Sequence, residues 1–529
     1  MQESAMQTTK PSNKAHAVIA LLFRYLPSFV AGGLMVFAFA PFSIWPLTLL
    51  CVSFWLTQLR NQPPKHVFYQ GLVFGFGWFS VGISWVHVSI AQFGGMPLII
   101  SLLLMALLCL YLALYPALAA WCSAKFTRQQ QINLYYLPFF WLLAEYCRAH
   151  FLTGFPWLSL GYSQIDSPLS ALAPIVGETG ITFCLMLLCV SSVNILYRRH
   201  ILANTLVIAT IALSVLVAGA QTFTHDRQQT VSVALVQGNI KQELRWDEEQ
   251  EQRIIDLYVE MTTDLYTDHQ LIIWPEAAIP RLEPLAQDTL MMLDQKAVDN
   301  NSSLITGVIN FDIHSKSFFN RLLVLGKKHP DDISGDYYYR NANHYDKHHL
   351  LPIGEFVPFE DLLRPIAPLF NLPMSSFSRG DFSQTNIMAN GLHIAPLICF
   401  EIAFPKQLAA NINEQTDVLL TVSNDAWFGD SHGPHQHLEI ARMRALEFGL
   451  PMLRATNNGL TALIDHKGEI SADIAQFEQA ILSNNISLVT SHTPYRHYAN
   501  YLYKVILALF LFGLFSKFIY FKYRANANV

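Results

Sequence analysis

Residues 392–401 read LHIAPLICFE, an apolar run that ends at Cys399 and becomes polar at Glu401. A continuous apolar run of this length is typical of a strand that is buried on both faces of a sheet. Strands that alternate with helical patterns predict an α/β domain. Similar runs precede and follow this one, at residues 231–237, 271–276, 302–310, 321–326, 417–425 and 452–459.

The first 223 residues are instead a succession of longer apolar stretches. Hydrophobic residues make up 52% of the 529-residue chain and charged residues only 14%, whereas soluble domains carry about 25% charge. This composition excludes intrinsic disorder and an entirely soluble protein. Stretches near the roughly 20 residues that cross a bilayer as a helix predict about eight transmembrane helices. They lie near residues 17–41, 45–59, 69–90, 97–122, 135–151, 169–197, 201–223 and 498–521.

Positive charges in the loops predict the orientation of these helices. Lys10 and Lys14 precede the first stretch, while the loops after the first and third stretches contain no Lys or Arg. By the positive-inside rule, both termini lie in the cytoplasm and the α/β domain lies on the far side of the membrane. The predicted domains are a transmembrane bundle (1–227), the α/β domain (228–492) and a last helix with its tail (493–529).

Two classes of partner have little support in the sequence. The net charge of -5 provides no basic field for a nucleic acid, so we predict no nucleic-acid partner. His432, His435 and His437 lie close together, but no cysteine or carboxylate cluster accompanies them at the spacing of a zinc site. We therefore predict no bound metal and no cofactor, and expect these histidines to line a loop or cap the following helix.

Of seven cysteines, only Cys399 belongs to the predicted α/β domain. A lone cysteine in an oxidising compartment is buried and inert, bonded to another chain, or used for chemistry. Its place at the carboxyl end of a buried strand favours chemistry, because α/β folds bind ligands there. Glu276 ends the run LIIWPE in the same way, and Lys347 lies where a strand gives way to a loop. Taken singly, such a glutamate is often a helix cap and such a lysine is usually solvated.

Motifs around these three residues resemble the Glu, Lys and Cys motifs of the nitrilase superfamily: LIIWPEAAIP (271–280), YDKHHLLPIGEFVPFE (345–360) and ICFEIAFP (398–405). Further motifs resemble the apolipoprotein N-acyltransferase family, and the resemblance runs from near the amino terminus to the last apolar stretch. These motifs are FGWFSVGISWVHVSIAQFGGMP (76–97), LTGFPWLSLGYSQ (152–164), VQGNIKQELRWDE (236–248), LPMSSFSRG (372–380) and SNDAWFGDSHGPHQHLEIARMRALE (423–447).

The resemblance implies a membrane α-helical bundle of about eight transmembrane helices that carries an α/β nitrilase-like αββα sandwich domain. It implies that Cys399 is the nucleophile, Glu276 the general base and Lys347 the electrostatic partner. Glu276 serves best as a base if partial burial raises its pKa towards neutrality. Supporting roles are implied for Trp246, Glu355 and Glu401, and the alternative for Glu355 is a structural ion pair.

Three further positions complete the predicted site. Phe400 departs from the tyrosine that is common after the cysteine in this family, so a role for a phenolic hydroxyl is lost there. Asn424 and Trp427 in SNDAWFG either shape the pocket wall or form a structural turn.

The implied reaction is the last step of bacterial lipoprotein maturation, in the inner membrane with the α/β domain in the periplasm. An acyl chain moves from a phospholipid to the α-amino group of a diacylglyceryl-apolipoprotein, through a thioester on Cys399. The implied partners are these two substrates and the lipid bilayer, and we expect a monomer. The alternatives are a membrane-tethered amidohydrolase that uses water as the acceptor, and a non-enzymatic scaffold or channel.

The stretch 358–379 has apolar residues and prolines without a clean period. It is either a surface loop packed on its own domain or an arm that dips into the membrane surface. The second interpretation predicts a lipid-entry arm that presents Leu362, Leu363, Ile366, Leu369 and Phe370.

Overall fold

A computed structural model describes residues 13–126, 132–245, 247–352, 354–356, 377–499, 501, 504–508 and 510–511, with side chains from residue 23 onward except that of residue 248. Trp246 lies outside the described residues. So does the predicted lipid-entry arm from residue 358 to residue 376, which includes Leu362, Leu363, Ile366, Leu369 and Phe370.

The described residues of the amino-terminal region form helices joined by turns and loops. Its helices are α1 (Asn13–Leu34), α2 (Pro46–Leu59), α3 (Pro64–Gly82), the single turn α4 (Val86–Val88), α5 (Leu98–Lys125), α6 (Leu137–Arg148), α7 (Ala173–Leu196) and α8 (Ile201–Gly219). Proline begins α2 and α3, where its fixed φ suits a first turn and its missing N–H leaves no intrahelical bond unmade.

Three helical segments of the described chain are long and apolar enough to cross a membrane: Leu98–Lys125, Pro168–Leu196 and Ile201–Gly219. A fourth arises if Pro64–Gly82 and Val86–Phe93, which meet at a bend of 61°, count as one span. Shorter apolar helices cover Phe23–Ala38 and Pro46–Leu59. An apolar helical region is thus present where the sequence predicts it, while the count of about eight crossings stays a prediction.

Small residues let the first long helices approach closely. A Cβ atom added to Gly32 of α1 would lie 2.0 Å from the carbonyl oxygen of Phe74 in α3. One added to Gly71 of α3 would lie 2.7 Å from the Cα of Ala117 in α5. Close backbone contact of this kind is how helices associate in a lipid environment, where the hydrophobic effect between helices is lost.

The α/β region contains two sheets. Their strands are β1 (Thr224–Gln237), β2 (Leu271–Ile273), β3 (Ile279–Leu282), β4 (Ser303–Asp312), β5 (Ser317–Gly326), β6 (His344–Asp346), β7 (Ile387–Ala389), β8 (Leu392–Ile398), β9 (Val418–Ser423), β10 (Met452–Thr456), β11 (Thr461–Ile464), β12 (Ile470–Ile474) and β13 (Ala480–Ser491). One sheet has the strand order β13-β1-β2-β4-β5-β6, with β3 beside β4, and the other has the order β12-β11-β10-β9-β8-β7. The helices are α9 (Glu248–Thr262), α10 (Gln287–Asp299), α11 (Pro405–Asn411), α12 (Gly433–Phe448) and α13 (Pro494–Tyr498).

Successive side chains of each strand point to opposite faces of the sheet, and this alternation separates the layers of the α/β region. Leu235 of β1 packs with Leu420 and Leu453 of the other sheet in a shared apolar core. Its neighbour Val236 points the opposite way, where it packs in a separate core with Ile255 of α9. Helix α12 covers the outer face of the second sheet. This helix–sheet–sheet–helix order confirms the predicted α/β sandwich.

Helix α12 also joins the sandwich to the amino-terminal helices. The indoles of Trp85 and Trp157 donate hydrogen bonds to Gln436 Oε1 over 3.2 and 2.7 Å. Near the other end of α12, Glu447 Oε1 accepts the backbone N–H of Glu178 over 2.6 Å. Both faces of α12 are therefore engaged, one by the second sheet and one by the apolar helices.

Candidate active site

The three residues that the sequence singled out, Cys399, Glu276 and Lys347, lie together. Cys399 directly follows β8, Lys347 directly follows β6, and Glu276 lies just after β2. Lys347 Nζ is 3.4 Å from Glu276 Oε1, and both side chains are buried. The charges of Glu276 and Lys347 both act on the Cys399 thiol, which is half-buried. The fold therefore brings a thiol, a carboxylate and an ammonium group to one place.

The Glu276 carboxylate is held in its ionised form. Asn320 Nδ2 donates to Oε1 over 2.7 Å, and the Asn424 backbone N–H donates to Oε2 over 2.9 Å. Burial by itself would raise the pKa of Glu276, but the charges of Lys347 and Arg245 and these two hydrogen bonds lower it below its usual value. The pKa of Glu276 therefore does not rise towards neutrality, because the nearby positive charges and hydrogen-bond donors outweigh the effect of burial.

Lys347 lies between two carboxylates. Its Nζ is 2.9 Å from Glu355 Oε1, which also accepts a 2.9 Å hydrogen bond from Asn320 Nδ2. Glu355 Oε2 accepts the backbone N–H of Leu351 over 2.8 Å. Burial would lower the pKa of Lys347, but Glu355 and then Glu276 outweigh it, so the pKa lies above its usual value. The ammonium group stays charged.

Cys399 differs from an ordinary cysteine in both backbone and side chain. Its φ of +55° lies in the left-handed region that only glycine adopts without strain. Burial raises the pKa of its thiol to about 12, helped by Glu276 and opposed by Lys347. The resting sulfur is thus a neutral thiol beside an ionised carboxylate, which suits proton transfer during attack rather than a preformed thiolate.

The backbone after Cys399 offers a donor to an oxyanion. Cys399–Ala403 forms a short 3₁₀ helix, and Phe400 is its second residue. The first N–H groups of such a helix have no partner within it. The Phe400 N–H is consequently suited to a negatively charged oxygen that develops beside Cys399.

Glu401 does not face the site but lies beneath it, with no exposed surface. Its Oε2 accepts the backbone N–H of Ile398 over 2.8 Å, and its Oε1 accepts those of His348 and His349 over 2.8 and 3.0 Å. One carboxylate therefore ties the turn that carries Cys399 to the loop that follows Lys347. Burial raises the pKa of Glu401 despite these bonds.

The remaining predicted residues occupy different surroundings. Asn424 touches the site through its backbone and donates its side-chain Nδ2 to Gln242 Oε1 over 2.6 Å. The Phe400 ring is buried and stacks on Trp157 with centroids 6.2 Å apart. Trp427 packs edge-on against Phe93 of the amino-terminal region, with centroids 5.5 Å apart.

Sequence reasoning missed Asn320 and the hydrogen bond between His437 and the Cys399 carbonyl. Asn320 Nδ2 donates to both Glu276 and Glu355, and the available signal was a polar residue immediately before the apolar run 321–326. His437 Nε2 donates to the carbonyl oxygen of Cys399 over 3.1 Å, while His432 Nε2 donates to that of Gly82 over 3.0 Å. The described part of the chain contains no cluster of three or more His, Cys, Asp or Glu side chains suited to a metal.

A cavity of about 520 Å³ lies between the sandwich and the apolar helices. Helices α6 and α7 and the loop after α6 form one side of it, and α11 with the residues before it forms the other. Its walls include Tyr146, His150, His349, Phe404, Lys406 and Tyr495. Trp157 is buried beside α12 and does not line the cavity, whereas its neighbours Thr153 and Pro156 do.

Residues 232–493 match the family described as carbon-nitrogen hydrolase, so the sandwich is a carbon-nitrogen hydrolase domain joined to an apolar helical region. Residues 31–191 match the apolipoprotein N-acyltransferase N-terminal domain. Two proteins named apolipoprotein N-acyltransferase align with nearly the whole chain. The one from Shewanella oneidensis is 46% identical over 475 residues (89% of this chain, 91% of that protein), and the one from Vibrio parahaemolyticus is 45% identical over 485 residues (91% and 94%). The chain belongs to the apolipoprotein N-acyltransferase family.

Solved structures similar to the chain include a CN-hydrolase superfamily protein from Xanthomonas campestris, with 19% identity and a TM-score of 0.35 over 53% of this chain and 97% of that one. Another is a carbon-nitrogen hydrolase from Helicobacter pylori, with 15% identity and a TM-score of 0.35 over 49% and 89%.

Proposed function

We propose that this protein moves a fatty acyl chain from a phospholipid to the α-amino group of the N-terminal S-diacylglyceryl cysteine of an apolipoprotein, through a thioester on Cys399. The observation that carries the proposal is the pairing of a neutral thiol with an ionised Glu276 and a charged Lys347 in a sandwich that packs on apolar helices. The names of the bacterial relatives support the choice of substrates.

In the first half of the reaction, Cys399 Sγ attacks the ester carbonyl of the phospholipid while Glu276 takes the thiol proton. The tetrahedral oxyanion is stabilised by the Lys347 ammonium and the Phe400 N–H. The carbon–oxygen bond to glycerol then breaks, and Glu276 gives its proton to the departing oxygen. The products of this half are a lysophospholipid and an acyl thioester on Cys399.

In the second half, the α-amino group of the apolipoprotein attacks the thioester carbonyl. Glu276 takes a proton from the attacking amine, the same two donors stabilise the second oxyanion, and the carbon–sulfur bond breaks. The proton returns to the Cys399 sulfur, which restores the resting thiol and leaves an amide on the lipoprotein. Because the resting carboxylate is ionised in both halves, one base serves both substrates.

The apolar helical region provides an environment in which the acyl chains of both substrates avoid water. Moving an acyl chain into water costs about 0.8 kcal/mol per CH₂ group, so the chains must stay in an apolar environment. We assign the lateral route to the cavity between α6, α7 and the sandwich. The proposal includes about eight crossings of the bacterial inner membrane, cytoplasmic termini, a periplasmic sandwich and a monomeric enzyme.

The test uses the purified full-length protein in detergent and mass spectrometry. With phospholipid alone, wild-type protein should gain one fatty acyl group on Cys399, and a diacylglyceryl peptide should then remove that group and become N-acylated. Cys399→Ala should gain none, while the matched control Cys147→Ala, at another half-buried cysteine, should behave as wild type. An unmodified Cys399 contradicts the thioester route. Release of free fatty acid without acylated peptide supports hydrolysis instead.

A further inference from the structure

The carbonyl oxygen of Cys399 accepts a hydrogen bond from the side chain of His437. His437 of α12 is 1% exposed, and its Nε2 lies 3.1 Å from the carbonyl oxygen of Cys399. A carbonyl oxygen only accepts hydrogen bonds, so Nε2 carries the hydrogen. The contact therefore fixes one of the two possible tautomers of a neutral ring.

The other ring nitrogen faces a buried ion pair. His437 Nδ1 is 3.1 Å from Arg454 Nη2 and 3.1 Å from Asp425 Oδ1. Arg454 Nη2 also donates to Asp425 Oδ2 over 2.7 Å, and neither partner has exposed surface. Burial would raise the pKa of Asp425, but the charge of Arg454 opposes burial and the pKa lies at about 2. The two hydrogens of Arg454 Nη2 can thus serve Asp425 and Nδ1 together.

The imidazole stays neutral in this setting. Burial lowers the pKa of His437, and the Arg454 charge lowers it further, which outweighs the opposite effect of Asp425. A neutral ring with hydrogen on Nε2 must accept at Nδ1, and Arg454 supplies that donor. The ion pair holds the histidine in the neutral tautomer that can donate to the Cys399 carbonyl.

The direction of the Cys399 carbonyl matters because it also sets the direction of the Phe400 N–H, which belongs to the same peptide group. In a planar trans peptide, the C=O of Cys399 and the N–H of Phe400 point in opposite directions. A donor that fixes the carbonyl therefore fixes the Phe400 N–H. The left-handed φ of Cys399 is strained, so this peptide needs such support from its surroundings.

We propose that His437 is a positioning residue, which holds the Cys399–Phe400 peptide so that the Phe400 N–H meets the oxyanion of each tetrahedral intermediate. The inference rests on the proposed attack of Cys399 on a carbonyl group. It adds to that mechanism a residue that touches neither substrate.

The test compares two reagents that modify Cys399 in full-length protein. Iodoacetamide alkylates sulfur without forming an oxyanion, whereas p-nitrophenyl butyrate acylates it through one. In His437→Leu, acylation should slow about 100-fold more than alkylation does, as expected for loss of one oxyanion donor. His437→Gln, whose amide reaches as far as Nε2, should recover acylation to within about 10-fold of wild type. The control His435→Leu, at a half-buried histidine of the same helix, should match wild type in both rates.

Several outcomes would overturn the assignment. Equal slowing of acylation and alkylation in His437→Leu would indicate a structural role. The amide of His437→Asn is too short to reach the Cys399 carbonyl, so acylation of His437→Gln no faster than that of His437→Asn would indicate the same. If His437→Leu does not fold, the acylation rates of His437→Gln and His437→Asn still test the proposal. If p-nitrophenyl butyrate fails to acylate Cys399 in wild-type protein, the His437 proposal is also overturned. If only phospholipid fails to acylate Cys399, the result contradicts the proposed function and leaves the His437 proposal standing.

Discussion

Trp157, in the loop after α6, donates its indole N–H to Gln436 Oε1 over 2.7 Å, so the amino-terminal region is hydrogen-bonded to the residue that precedes His437. Gln436 also accepts from Trp85 and donates its Nε2 to the carbonyl oxygen of Gly82 over 3.0 Å. All three partners belong to the region before the sandwich. The apolar helices thus help to place α12, and α12 carries the donor to the Cys399 carbonyl.

Gln436→Leu should uncouple the two regions. The change leaves two buried indole N–H groups without partners, and each such group costs about 1–3 kcal/mol. We expect a clear fall in the thermal unfolding midpoint of the detergent-solubilised chain and slower acylation of Cys399. Gln415→Leu, at an exposed glutamine, is the control and should leave both unchanged. An unaltered midpoint in Gln436→Leu would show that these hydrogen bonds do not support the interface.

Glu355→Gln should give acyl transfer a new pH dependence. Glu355 makes the largest favourable contribution to the Lys347 charge, so its neutral replacement lowers the pKa of that ammonium group. As pH rises, the variant loses the positive charge of Lys347 that we propose stabilises the oxyanion, while wild type keeps it. The rate of acylation should therefore decline in the alkaline range in the variant alone, and Glu478→Gln, at an exposed glutamate, should follow wild type. Parallel profiles for all three proteins contradict this role of Glu355.

The Cys399 thiol should show no alkaline plateau in its reaction with iodoacetamide. An ordinary cysteine has a pKa of about 8.5, so its thiolate fraction levels off above that pH. A thiol with a pKa of about 12 instead gains thiolate by about tenfold per pH unit throughout this range. The alkylation rate should thus keep rising to about pH 10. Free glutathione under the same conditions supplies the reference plateau, and a plateau for Cys399 near that of glutathione would mean that burial does not suppress its ionisation.

Glu276→Gln should separate ionisation of the thiol from catalysis. Glu276 raises the pKa of Cys399, so the variant has the more acidic thiol and should be alkylated faster at a given pH. It also lacks the proposed general base, and acylation by phospholipid should fall by about 10²–10⁴-fold. Opposite changes in the two rates support proton transfer to Glu276 during attack. If both rates rise together, a preformed thiolate is the reacting species.

Gly32→Ala should destabilise the helical region although alanine is the better helix former. Its Cβ would lie 2.0 Å from the Phe74 carbonyl oxygen, which forces α1 and α3 apart. The neighbouring Gly33→Ala is a matched control, because its Cβ would meet nothing closer than Val81 Cγ2 at 3.5 Å. That control should be neutral or stabilising by up to about 1 kcal/mol. Equal thermal midpoints for the two variants would be inconsistent with the close contact between α1 and α3.

Several features of the fold were accessible from sequence because they are local. The apolar run at 392–398 is β8, the helical pattern at 435–448 lies within α12, and the apolar stretches before residue 223 contain helices. Periodicity and length encode these elements directly. Strand ends also singled out Cys399 and Glu276, since buried α/β strands deliver side chains to a shared edge. The roles assigned to them, the domain boundaries and the count of crossings stay predictions.

Other features depend on residues far apart in the chain. Asn320 joins Glu276 to Glu355, and Arg454 fixes the tautomer of His437, through contacts that no local pattern reveals. The ionised state of Glu276 follows from charges and donors on four separate segments, so burial alone gave the wrong direction.

The sequence by itself thus determined the local elements, the apolar character of the helices and the types of reactive group at the strand ends. Only the tertiary structure decided the protonation states of those groups and the attachment of α12 to both halves of the molecule. The physical reason is that hydrogen bonding and electrostatic energies depend on distances in space, which the chain fixes only when it packs.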